Sequence, residues 1–128
     1  MLLTILKRNA IYTMTTTTYK LVATIIHDDE FDCVTFQYKN GPNALFTFSP
    51  EAPESGDWTN LVDACKNNKE VCCNWAPTNG ETQIHIRDGK VSFFVDKRGD
   101  GQGGSLEVTV PAKDCIEAFE AAAKTFSK

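Results

Sequence analysis

The segment from Thr82 to Phe126 constrains the fold more than any other part of the chain. Polar and apolar residues alternate in Gln83-Ile84-His85-Ile86-Arg87 and again from Lys90 to Asp96, which is the period of a half-buried strand. Between these runs stands Asp88-Gly89, a dipeptide suited to the positive φ angles of a two-residue hairpin turn. A turn of that length fixes the register, so Arg87 should face Lys90, Ile86 face Val91, His85 face Ser92, Ile84 face Phe93 and Gln83 face Phe94. One side of the hairpin is then oily, with Ile84, Ile86, Val91, Phe93 and Val95. The other carries Gln83, His85, Arg87, Lys90, Ser92, Phe94 and Asp96.

The pattern continues without a gap. After a glycine-rich loop from Lys97 to Gly104, the strand Ser105 to Val110 sends Leu106, Val108 and Val110 to the oily side and Glu107 and Thr109 to the other. Pro111 ends it, and a helix follows with Asp114 in its first turn and Cys115, Ala118, Phe119, Ala122 and Phe126 at helical spacing. An earlier stretch repeats this order. Strands are expected at Tyr19 to Ile26, Cys33 to Tyr38 and Ala44 to Phe48, separated by an acidic turn at Asp28, Asp29 and Glu30 and by a turn at Asn40-Gly41-Pro42. Trp58, Leu61, Val62 and Cys65 then match the spacing of Cys115, Ala118, Phe119 and Ala122, with Ser55 or Asp57 to cap the helix. The sequence predicts an α+β fold: two β-β-β-α units forming a mainly antiparallel sheet with two helices on one face. Residues 1–18 read as an N-terminal tail, and 19–128 as a single domain made of a first unit, 19–69, and a second, 70–128.

A length of 128 residues, with 41% hydrophobic and 23% charged side chains, suits one globular domain with a core. A net charge of −4 argues against binding nucleic acid through overall charge, although a local basic patch can coexist with it. The apolar start Met1 to Leu6 is broken by Lys7 and Arg8, and no run has the length of a membrane span. The expectation is a soluble intracellular protein of cytoplasm or nucleus with no membrane partner. Met14, followed by threonines, is an alternative start to Met1. Five cysteines, Cys33, Cys65, Cys72, Cys73 and Cys115, form no C-x-x-C pair and suit a reducing compartment. Cys65 and Cys115 fall on apolar helix faces, where cysteine acts as a small hydrophobe; a zinc site with His27 or His85 would lack recognisable spacing.

The string Ile84-His85-Ile86-Arg87-Asp88-Gly89-Lys90-Val91, followed by a strand, a glycine-containing loop, a strand and a helix, resembles the single-stranded nucleic-acid-binding domain of the transcriptional coactivator positive cofactor four. The related Whirly and Pur folds share the strands-then-helix plan. The resemblance covers about the second unit, and the first unit lacks the equivalent basic hairpin. It implies a curved sheet that holds single strands with basic and aromatic side chains, two units being brought together by repetition or dimerisation.

The polar face supplies such groups independently of that resemblance. Phe94 offers a ring for base stacking, and His85, Arg87, Lys90, Lys97 and Arg98 offer cations for phosphates. The expected function is a non-catalytic binding domain that holds single-stranded DNA or RNA without strong sequence preference. The alternative is a structural or protein-interaction subunit of a larger assembly, or a homo-oligomer, anchored by an exposed apolar spot beside a polar rim. The segment Gly101 to Lys124 also resembles short proteins of large DNA viruses, without a motif that carries the likeness. No catalytic motif, cofactor motif or metal-ligand spacing is present. The loop Lys97 to Gly104 lacks the G-K-[ST] ending of a phosphate loop and joins two strands, and Asp96 and Asp100 do not complete a calcium loop.

Overall fold

The computed structural model describes residues 18–27, 29, 32–50, 55–75, 80–99 and 101–126. The expected tail before Thr18, Asp28 and Glu30 of the acidic turn, and Asp100 lie outside the described residues. The elements run β1 (Lys20–His27), β2 (Asp32–Asn40), β3 (Asn43–Phe48), α1 (Ser55–Asn67), β4 (Val71–Trp75), β5 (Gly80–Arg87), β6 (Lys90–Gly99), β7 (Gln102–Pro111), a 3₁₀ turn (Ala112–Asp114) and α2 (Ile116–Phe126). Strands followed by a helix occur twice, so the fold is α+β.

All strand pairs are antiparallel. The strands divide into two sheets, β1-β2-β3 and β4-β5-β6-β7, where the sequence suggests one. The second unit also has an additional strand, β4, ahead of its hairpin, where no strand is expected from the sequence. Its alternation is short: Val71, Cys73 and Trp75 face inward while Cys72 and Asn74 face out. Each sheet has one apolar face, and both apolar faces turn towards the helices. Leu21, Val34, Phe36, Tyr38 and Phe48 come from the first sheet and Cys73, Trp75, Ile84, Ile86, Val91, Phe93 and Val110 from the second, all within one core with Trp58, Leu61 and Phe119.

The helices are exchanged between the halves. α1 closes the first unit but lies against β4 and β5, whereas α2 closes the second and lies against β1. Polar contacts fix this exchange. Trp75 on β4 donates its indole N–H to Asp57 Oδ2 in the first turn of α1, at 2.9 Å. The Tyr38 hydroxyl on β2 donates to Asp114 Oδ2 beside α2 at 2.8 Å, and Lys20 on β1 pairs with Glu117 at 2.8 Å. Burial, together with the Asp114 carboxylate that accepts its hydrogen bond, pushes the Tyr38 phenol up to about 12. The expected helix stripe is observed, with Cys115, Ala118, Phe119 and Ala122 buried.

Among the described residues no helix is long and apolar enough to cross a membrane. All five cysteines are free thiols. Burial raises the Cys65 thiol to about 11 and the Cys73 thiol to about 12, Asp57 adding to the latter, and burial pushes Cys115 higher still. Cys72 is exposed, and its thiol is raised by partial desolvation and by the charges of Glu70 and Glu81. Alkylation of the native protein followed by mass measurement should therefore label Cys72 first and leave Cys65, Cys73 and Cys115 intact until denaturant is added. Fast native labelling of Cys115 would contradict the packing of α2.

Candidate nucleic-acid interface

The outer face of the four-stranded sheet is set by the β5–β6 turn. Asp88 and Gly89 have φ of 52° and 73°, the conformation of a two-residue hairpin turn, and the register is the one expected, from Arg87 opposite Lys90 to Gln83 opposite Phe94. β4 and β7 extend the same rows across the sheet. Cys72, His85, Ser92 and Thr109 form one row, and Asn74, Gln83, Phe94 and Glu107 the next. Glu81, Asp96 and Ser105 lie beyond, towards the β6–β7 end, and Arg87 and Lys90 lie at the opposite end beside the turn.

Five of the six candidate residues, His85, Arg87, Lys90, Phe94 and Arg98, share this face. Phe94 is half-buried, stands outside the core cluster and makes no ring contact with another described aromatic residue. Arg98 has the same strand parity but lies near the far end, where its Nε donates to Asp96 Oδ2 at 2.8 Å. Lys97 has the opposite parity to Phe94 and is exposed at the end of the sheet, opposite Gly80 and Gly104. The candidate cations thus divide between two ends of the strand, with Phe94 between them.

Carboxylates are interleaved with the cations. His85 Nε2 pairs with Glu70 at 2.9 Å, and Arg87 Nε reaches Asp88 at 3.5 Å. Both partners of the Arg87 pair are more than half exposed, so water screens their attraction and leaves Arg87 able to exchange partners. Lys90 has no ion pair among the described residues. A groove of about 300 Å³ opens between these side chains, lined by His85, Arg87, Asp88, Lys90, Ser92, Glu107 and Thr109. Of these, Ser92 and Thr109 share a hydroxyl hydrogen bond of 2.9 Å. Such a groove offers donors to an anion at its Arg87 and Lys90 end and an acceptor at Glu107.

Glu107 is a site residue that the sequence placed on this face without giving it a role. Its position opposite Phe94 depends on where β6 turns into β7. The glycines between Lys97 and Gly104 read as a loop, yet the strands continue to Gly99 and from Gln102 with unbroken pairing. Glycine weakens strand propensity, and here the pairing supplied by the neighbouring strand prevails. Among the described residues no three histidine, cysteine or acidic side chains converge on a metal position.

The site therefore belongs to an α+β domain in which the four-stranded sheet presents a polar outer face with Phe94 in its middle. Residues 43–121 match the DUF5766 family of unknown function, and because the match spans more than half of the chain, the protein belongs to that family. The matched region runs from β3 into α2 and contains every residue of the groove. No curated protein and no solved structure matches the chain.

Proposed function

We propose that the outer face of the four-stranded sheet binds single-stranded nucleic acid. The observation that carries this reading is Phe94: a large aromatic side chain, partly exposed and outside the core, held in the middle of a polar sheet face. An aromatic ring so placed is a stacking platform for a base, and each such stack contributes about 1 to 3 kcal/mol. Arg87 and Lys90 stand two rows away, at a distance of about 13 Å along the strand, where they meet phosphates further along a nucleic-acid strand whose base stacks on Phe94. The likeness of Ile84 to Val91 to the positive cofactor four domain supports the same face, as does the repeated strands-then-helix plan shared by the Whirly and Pur folds.

A protein-assembly role is the second reading, and a different surface favours it. The outer face of the three-stranded sheet carries Val22, Thr24, Ile26, Cys33, Thr35, Gln37, Leu45 and Thr47, with Lys20 and Lys39 paired towards one end. Val22, Ile26 and Leu45 are 43%, 46% and 63% exposed. A face with apolar side chains exposed in this way suits a protein partner.

Amide chemical-shift mapping separates the two. Titrating isotope-labelled protein with a short single-stranded oligonucleotide should move the amides of Gln83, His85, Arg87, Lys90, Ser92 and Phe94 while those of Val22, Thr24, Thr35 and Gln37 stay in place. Shifts confined to the three-stranded sheet would refute the proposed interface, and no shifts at all would transfer the case to the assembly reading.

A further inference from the structure

We infer that Glu107 makes this face selective for bases that carry an exocyclic amino group, cytosine above all, against thymine and uracil. The inference rests on the single-strand reading of the same face and adds to it a determinant of ligand chemistry.

The argument starts from the row that contains Phe94. Its neighbours on either side are Gln83 on β5 and Glu107 on β7. These flanking positions are two strand spacings apart, about 10 Å, which leaves room for one base lying over the ring between them. The two sides differ in hydrogen-bond character. Asn74 Nδ2 donates to Gln83 Oε1 at 3.2 Å and to Glu81 Oε2 at 2.9 Å, so the Gln83 oxygen is engaged and its Nε2 is left as a donor. Glu107 is exposed and, among the described residues, has no hydrogen-bond or ion-pair partner. An ionised carboxylate only accepts.

A base on Phe94 therefore meets a donor on one side and an anionic acceptor on the other. The Gln83 donor suits the ring carbonyls and nitrogens that every base presents and discriminates little. The Glu107 carboxylate does discriminate. It accepts from the N4 amino group of cytosine, from the N6 amino group of adenine and from the amino edge of guanine. Thymine and uracil present the O4 carbonyl at the position of the cytosine amino group, so a carboxylate brought against that edge is desolvated without a partner and repelled. The same carboxylate opposes phosphates, so it weakens every single strand and its cost is offset only by bases with an amino donor. This is selection by penalty against the wrong ligand.

Fluorescence anisotropy with labelled oligodeoxycytidine and oligodeoxythymidine of equal length tests it, using the full chain and its Glu107→Gln variant. The unmutated protein should bind the cytidine strand about tenfold more tightly, near the lower end of what a specific side-chain contact to a base edge contributes. In Glu107→Gln the carboxamide both donates and accepts, so the ratio should fall close to one, chiefly through tighter binding of the thymidine strand. Equal affinities in the unmutated protein, or a cytidine preference that survives Glu107→Gln, would overturn the role of Glu107 while leaving the single-strand interface standing. Absence of binding to both strands would overturn the interface and this inference together.

Discussion

Phe119→Ala should cost about 3 to 5 kcal/mol of folding stability, among the largest losses expected from a single truncation of a buried side chain here. Phe119 lies on α2 with no solvent exposure. Its ring meets Phe36 of the three-stranded sheet edge-on at 5.5 Å and 90°, and Phe93 of the four-stranded sheet at 6.4 Å and 46°. Truncation therefore opens a cavity where the two sheets and a helix converge, and it removes contacts from both halves at once. A domain of this size is stable by about 5 to 15 kcal/mol, so the variant should lose a large share of that. Trp58 and Trp75, both buried and with rings 6.3 Å apart, provide the fluorescence signal for a urea titration. The midpoint should fall while the slope stays the same. A change below about 1 kcal/mol would mean that the halves do not share a core.

Phe94→Ala should have the opposite profile, with little effect on stability and a large effect on binding. The ring stands outside the core, so its removal leaves no central cavity. Loss of one base stack should weaken single-strand affinity by about 1 to 3 kcal/mol, which is roughly five- to 150-fold. The salt dependence should be unchanged, because no phosphate contact is lost. Joint replacement of Arg87 and Lys90 by alanine should instead lower the slope of log affinity against log salt by about 1.4, since each phosphate neutralised on a single strand contributes about 0.7. The two variants thus separate stacking from charge. A Phe94→Ala protein that binds as tightly as the original would remove the aromatic platform from the mechanism.

The hairpin β5–β6 was legible in the sequence residue by residue, because a two-residue turn leaves one register and alternation assigns every side chain to a face. The helix stripes were legible for the same kind of reason, as Cys115, Ala118, Phe119 and Ala122 repeat at the helical period. β4 was not, because Val71-Cys72-Cys73-Asn74-Trp75 is short and puts cysteine on both faces, so its hydrophobic pattern is ambiguous until β5 pairs with it. Nor could local periodicity show that α1 would pack on β4 and β5 and α2 on β1. That exchange is decided by long-range contacts such as Tyr38 with Asp114 and Trp75 with Asp57. In the site, His85, Arg87, Lys90 and Phe94 followed from the hairpin register; alternation put Glu107 and Thr109 on the same face, but their places opposite Phe94 and Ser92 needed the position of the β6–β7 turn, which the glycines obscured.

Binding of a labelled single-stranded oligonucleotide by the unmutated protein, followed by fluorescence anisotropy at about 50 and about 200 mM salt, tests the proposed interface most directly. The account predicts saturable binding at the lower salt that weakens at the higher, with a slope fitting a few phosphate contacts at the Arg87 and Lys90 end of the groove. No detectable binding at the lower salt would contradict it.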